Sequence, residues 1–271
     1  GDEMVHRMRE MVRDATQIMA QVISGDRRDF FPNGLFHHMP PYIYQKLGAS
    51  PFTKNDVEKG LVMDIRYQVG DTTVDVDCFG RDGNVAAITY ILELVTPPCE
   101  YVEELAYWAS TMFALAKTTL PRDLTIMATA LNPKTVEYQR GLSQGLHNHL
   151  GTFQSETEKA QAYCMLRNFI PHLIALSPNS PILNNKPTDV VKIIKNRITS
   201  PNCVRSLRLK FNTTMLSSND PNHYLPYLRD LSERSQQYFL ATIRKASMED
   251  GRFQDVFPFT DWGTIELRVM D

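Results

Sequence analysis

Gly145 to Pro181 reads GLHNHLGTFQSETEKAQAYCMLRNFIPHLIALSPNSP. Two histidines stand one residue apart, a helical stretch follows, and a Ser/Asn/Ser turn closes it. In an extended segment the side chains alternate between faces, so His147 and His149 point to one side, with Cα atoms roughly 6.6 Å apart, and Asn148 to the other. Neighbouring imidazoles bind a metal, or bind phosphate as imidazolium; the plainer alternative is a pair of hydrogen-bonded histidines at a strand end. Ser155 with Glu158 three residues on is a capping-box pattern, which predicts a helix from Ser155 to Ala175.

Outward from this stretch the elements are mixed. Gly263 to Met270 alternates as a strand, with Ile265, Leu267 and Val269 on one face and Glu266 and Arg268 on the other. Leu61 to Gln68 and Thr72 to Phe79 flank Val69-Gly70-Asp71, a hairpin signal. Ala86 to Val95 is apolar almost throughout, as a central strand would be, and Pro97-Pro98 stops it. Leu124 to Leu131 is a further strand candidate. Glu3 to Ile23 places Val5, Met8, Met11, Val12, Ala15, Ile18, Met19 and Val22 at helical spacing. Cys99 to Leu120 is a second amphipathic helix, with Val102, Leu105, Ala106, Ala109, Met112, Phe113 and Ala116 assigned to its apolar face. Pro187 to Ile198 and Pro221 to Ala246 are expected to be helical as well. Arg27 to Ser50, rich in Pro, Gly and aromatics, reads as a long loop in which His37 and His38 are loop histidines. Strand runs separated by single helices, with an early hairpin, predict an α+β fold with a mainly antiparallel sheet.

The chain has 271 residues, a hydrophobic fraction of 42% and a charged fraction of 22%, enough to bury a substantial core. A formal net charge of -2 leaves no electrostatic footprint for nucleic acid. Cys78, Cys99, Cys164 and Cys203 form no C-x-x-C pair, so neither a zinc knuckle nor a redox pair is indicated, and scattered thiols suit a reducing, cytoplasmic setting. No apolar run is long enough to span a membrane.

Four segments in order resemble the bacterial and archaeal glutamate–cysteine ligase family of carboxylate–amine ligases. His147, His149 and Gly151 match its H-x-H-x-G, and Pro171, Leu173 to Ser177 and Asn179 to Pro181 match its P-x-L-I-A-L-S-x-N-S-P. Leu92 to Pro98 (LELVTPP) is similar to its E-x-x-T-P segment, which precedes a helix. Gly263 to Asp271 (GTIELRVMD) is similar to its late strand T-[VI]-E-x-R-x-x-D, with Asp255-Val256-Phe257-Pro258 just upstream where the family often reads D-V-R-P.

The resemblance implies a glutamine-synthetase-like antiparallel sheet with helices on one face. It implies an ATP-dependent ligase that activates the glutamate γ-carboxylate as an acyl phosphate and joins it to an amine, by default cysteine, as in glutathione biosynthesis. Phosphoryl transfer asks a protein mainly for positioning and charge neutralisation, hence for carboxylates on Mg²⁺ and cationic groups on the phosphate. By resemblance Glu93 and Glu266 hold metal and Arg268 contacts the transferring phosphate. His147, with His149 beside it, lies at the nucleotide or metal, and Asn179 and Ser180 donate to substrate. A histidine in the metal's shell would shift preference from Mg²⁺ towards Mn²⁺. The plain alternatives are a strand-end salt bridge for Glu93, a surface pair for Glu266 and Arg268, and a helix cap for Asn179 and Ser180.

Three departures bear on this. The family's opening G-x-E-x-E strand has no counterpart before Glu93, and the family continues beyond a position like Asp271. The expectation is therefore one catalytic-type domain over 1–271 lacking an N-terminal strand and a C-terminal extension. Asp75-Val76-Asp77 offers an alternating acidic pair, read as the polar face of a hairpin strand. After Pro181 the family's T-G-x-x-S-x-R is absent, with Thr188, Arg197 and Arg205 at other spacings. A non-catalytic relative, binding a ligand or a partner subunit through the same sheet, is the alternative from another class, and whether the chain forms a homo-oligomer is left open. A metal-dependent hydrolase on His147, His149 and Glu93 lacks further close-spaced ligands. No P-loop motif is present, and Gly141 to Gly145 meets the G-x-S-x-G pattern without the strand–turn–helix context that gives it meaning.

Overall fold

The computed structural model describes residues 2–27, 38–53, 60–81, 91–126, 145–176, 182–183, 186–187, 192–194, 197–199, 256–258 and 263–270. It is an α+β fold whose sheets are antiparallel, and it divides into two compact units, Gly1–Met127 and Ala128–Asp271.

In the first unit, helix α1 (Asp2–Ser24) follows the expected stripe: Met8, Met11, Val12, Ala15, Met19 and Val22 are buried at intervals of three and four. It ends at Gly25, whose φ of 80° suits a residue without a Cβ. Strands β1 (Leu47–Phe52), β2 (Val62–Val69), β3 (Thr72–Arg81) and β4 (Leu92–Leu94) lie in that order in one sheet. β2 and β3 form the predicted hairpin, closing at Val69 opposite Thr72 across Gly70-Asp71, with Gly70 at a φ of 55°. Asp75 is bound by Arg66 at 2.9 Å, and with Asp77 it lies on the exposed face, as read from the alternation. α1 packs against β2, β3 and the helix α3 (Val102–Thr119).

The structure departs from these expectations at several points. The stretch expected to be a loop over 27–50 contains helix α2 (Pro41–Lys46), started by Pro41 at a position whose N–H has no helical partner anyway, and the beginning of β1. On α3 the buried residues are Glu104, Tyr107, Trp108, Thr111, Met112, Leu115 and Ala116, whereas Val102, Leu105 and Phe113 are exposed. The stripe is set by the two aromatics. Trp108 stacks edge-on against Tyr107 and Tyr67, burying more apolar area than the smaller residues could. Leu124 to Ile126 form no strand, and the rest of that candidate, like 86–90, lies outside the described residues.

The second unit contains β5 (Leu146–Leu150), helix α4 (Glu156–Leu176), the short pairs β6 (Ile182–Leu183) with β7 (Lys186–Pro187) and β8 (Lys192–Ile194) with β9 (Arg197–Thr199), then β10 (Val256–Pro258) and β11 (Ile265–Met270). The expected helix over 187–198 is thus replaced, in its described residues, by strands. Ile193 pairs with Ile198, in keeping with the preference of β-branched side chains for a pleated surface. The helix expected over 221–246 lies outside the described residues. α4 starts with one of the two bonds of the predicted capping box, Ser155 Oγ accepting from the Glu158 N–H at 3.1 Å, while the Glu158 carboxylate accepts at 2.5 Å from the N–H of Gln154, one residue before the cap. The sheet runs β10-β11-β5, α4 packs on β10 and β11, and Ala160, Tyr163, Val256, Ile265 and Leu267 are buried.

Candidate functional site

β5 and β11 are neighbours, and their register sets Glu266 opposite His149 and Leu267 opposite Asn148. Because faces alternate along both strands, His147, His149, Glu266 and Arg268 share one face, and Ile265 and Leu267 turn to the other. Glu266 is the hub. His147 Nδ1 lies 3.0 Å from its Oε1, and His149 Nε2 lies 3.8 Å from the same oxygen. The other oxygen, Oε2, accepts from Arg268 Nε at 2.5 Å and from the terminal guanidinium nitrogen as well. The Thr264 hydroxyl stands 3.2 Å from His149 Nδ1 and steadies that ring.

Burial differs sharply within this cluster. Glu266 and Arg268 are each about 5% exposed, while the two imidazoles are partly open to solvent. Burial alone would raise the Glu266 carboxyl. The hydrogen bond from His147 and the charge and hydrogen bonds of Arg268 outweigh it and hold the carboxyl at about 2. Burial lowers the Arg268 guanidinium against the opposing pull of Glu266, and a guanidinium so paired keeps its proton. Burial also lowers His149, assisted by Arg268 and His147 and opposed by Glu266, so this imidazole is neutral at pH 7. The face therefore presents a fixed carboxylate–guanidinium pair edged by two imidazoles.

Immediately after β5, Thr152 adopts a φ of 63°, a conformation β-branched residues rarely take, and its hydroxyl bonds the Gly151 carbonyl at 2.6 Å. A side chain at Gly151 would meet the Thr264 methyl at 3.3 Å. Glu93 is exposed on β4 of the first unit, opposite Gly80 of β3. Asn179, Ser180 and Asp271 lie outside the described residues. Among the described residues, no group of three or more His, Cys, Asp or Glu side chains is placed to hold a metal ion. Nor is any helix among them long and apolar enough to cross a membrane.

A second polar cluster escaped the reading of the sequence. Glu104, fully buried on α3, accepts from Lys46 Nζ at 3.0 Å on each oxygen, from the Tyr67 hydroxyl in a short bond, and from the Glu100 N–H at 2.9 Å. Trp108 Nε1 donates to the Tyr67 oxygen at 3.3 Å. Burial opposes ionisation of Glu104, but Tyr67, the Glu100 N–H and Lys46 together lower its carboxyl below the usual range. Burial and Glu104 push the nearby Cys99 thiol up to about 12, which leaves it unreactive at neutral pH. This network ties α2, β2 and α3 together. The apolar spacing pointed to another face of α3, and a carboxylate joins a buried stripe only where a cation reaches it, which the local sequence does not announce.

No protein-family model matches the chain, and no curated protein matches it.

Proposed function

We propose that the chain is an ATP- and Mg²⁺-dependent carboxylate–amine ligase of glutamate–cysteine ligase type, acting in the cytoplasm and joining the glutamate γ-carboxylate to an amine, cysteine by default. One observation carries the reading. The two segments that most resemble the family, separated by more than a hundred residues, lie on adjacent strands with Glu266 directly opposite His149.

The donor set fits a nucleotide phosphate held with a divalent ion. Arg268, His147 and His149 are the groups that would hold phosphate oxygens, and Glu266 is the oxygen ligand a hard cation takes. A histidine at that ion would favour Mn²⁺. ATP supplies the activation: it converts the carboxylate to an acyl phosphate, which the amine then attacks with loss of inorganic phosphate. The chain's own groups orient the phosphate and neutralise charge. His149, neutral at pH 7, is the group suited to take a proton from an attacking ammonium. Glu93 is assigned to a metal ion and Asn179 and Ser180 to substrate, on resemblance alone.

One observation favours a second reading, a non-catalytic relative that binds a ligand or partner through this sheet. Both Glu266 oxygens already accept from His147 and Arg268, so a cation would share Oε1 with the His147 N–H or displace a donor. Phosphate release from ATP, followed with glutamate present and with or without an amine, separates the two. Release that requires both substrates supports the ligase. ATP that neither binds nor turns over on the folded, full-length protein supports the second reading.

A further inference from the structure

The solvent-facing side of α3 carries Val102, Leu105, Ala109 and Phe113, spaced three, four and four apart, so that they form one row along the helix. Val102 is 78% exposed, Leu105 44% and Phe113 49%, an unusual apolar row for a helix whose other side already fills a core. We propose that α3 pairs antiparallel with the α3 of a second copy of this chain, about a two-fold axis at Ala109.

The row is self-complementary in that arrangement. An antiparallel pair centred on Ala109 sets Leu105 against the partner's Phe113, and the partner's Leu105 against Phe113. At the axis Ala109 meets its own copy, where a methyl side chain permits close approach of the helices. Charge agrees with shape. Glu103 and Lys117 flank the row on the same side at its two ends, and an antiparallel pair joins like flanks end to end. Glu103 therefore meets the partner's Lys117 twice, once at each end.

The place where that lysine arrives is acidic. A cavity of 440 Å³ beside the start of α3 is lined by Tyr42, Gln45, Lys46, Glu100, Tyr101 and Glu103. The only cation of that lining, Lys46, is shared between the buried Glu104 and Glu100, whose carboxylate it reaches at 3.4 Å, so carboxylates outnumber cations there and Glu103 adds to the excess at the rim. Lys117 already sits 5.8 Å over its own Phe113 ring, at the edge of the apolar row, from which its ammonium reaches across the pair. A single helix pair buries less than a standard interface of about 1,200–2,000 Å², so the association is expected to be reversible rather than permanent. The pairing does not depend on the ligase reading.

Sedimentation velocity on the full chain, from about 1 to 100 µM, tests it. A reversible monomer–dimer equilibrium is expected. Leu105→Arg should weaken it at least tenfold. Lys117→Glu and Glu103→Lys should each weaken it severalfold, and the double reversal should restore it. All these positions are exposed, so each variant should stay folded, with only the small drop in melting temperature that a reversed charge at a helix end brings, and the charge swap keeps the test decisive if Leu105→Arg alters folding. A monomer throughout the range, or a dimer indifferent to both Leu105→Arg and the charge swap, overturns the proposal.

Discussion

Arg268 donates to Glu266 two residues back along the same strand, Nε to Oε2 at 2.5 Å, with both side chains about 95% removed from solvent. A pair so placed is held by geometry as well as by charge, since neither partner can turn to water without leaving the other buried and unneutralised.

Glu266→Gln should therefore destabilise the chain by about 3 kcal/mol, because it strands a buried guanidinium. Replacing both partners, Glu266→Leu with Arg268→Met, should recover most of that loss, the apolar pair needing no neutralisation. Urea unfolding midpoints decide it. A single variant as stable as the parent would mean that the pair is hydrated in solution.

Acid should lower the stability of the chain over two pH windows. The Glu266 carboxyl is depressed in the folded chain, so its stabilisation is complete above the ordinary carboxylate range and disappears as the pH falls towards about 2. It is worth on the order of 3 kcal/mol. His149 is also lowered, so below its ordinary value the unfolded chain takes up a proton the folded one resists, and stability falls there too. Both slopes have the same sign. Equilibrium unfolding followed from pH 8 to pH 3 should show stability declining first near the histidine range and again below the carboxylate range. A rise in stability on acidification contradicts the burial described.

Lys46→Met should cost more than a surface lysine would, about 3 kcal/mol, by leaving Glu104 buried without its cation. The thermal midpoint of Lys46→Met compared with that of Lys117→Met, at an exposed position, isolates the effect. Equal midpoints would show that Glu104 is neutralised in some other way.

Gly80 sits at a φ of 150°, and a Cβ there would come within 2.2 Å of the Leu61 carbonyl oxygen. Gly80→Ala should lower stability by at least about 2 kcal/mol, since backbone on a neighbouring strand cannot step aside. Chemical denaturation measures it, and a change below half that size would argue that β2 and β3 part near Leu61.

How far the sequence carries the fold is visible residue by residue. The α1 stripe, the Gly70-Asp71 hairpin, the Ser155–Glu158 cap and the alternation of Glu266 with Leu267 were all legible, because each is local. The buried face of α3 was not. Glu104 belongs to that face only because Lys46, 58 residues away, arrives to neutralise it, and no local spacing announces such a partner. The Ile193–Ile198 pairing lost to a helical reading that gave periodicity more weight than β-branching. At the candidate site, His147, His149, Glu266 and Arg268 were each named from the sequence. What it could not supply was their order around one carboxylate, because that depends on the β5–β11 register.

The measurement closest to the central proposal is ATP turnover by the full-length protein and by Glu93→Gln, an exposed position where loss of charge should leave folding intact. The account predicts phosphate release that needs Mg²⁺, glutamate and an amine together, and a loss of at least about a hundredfold in Glu93→Gln with an unchanged melt. Release independent of glutamate and amine, or full activity in Glu93→Gln, would contradict it.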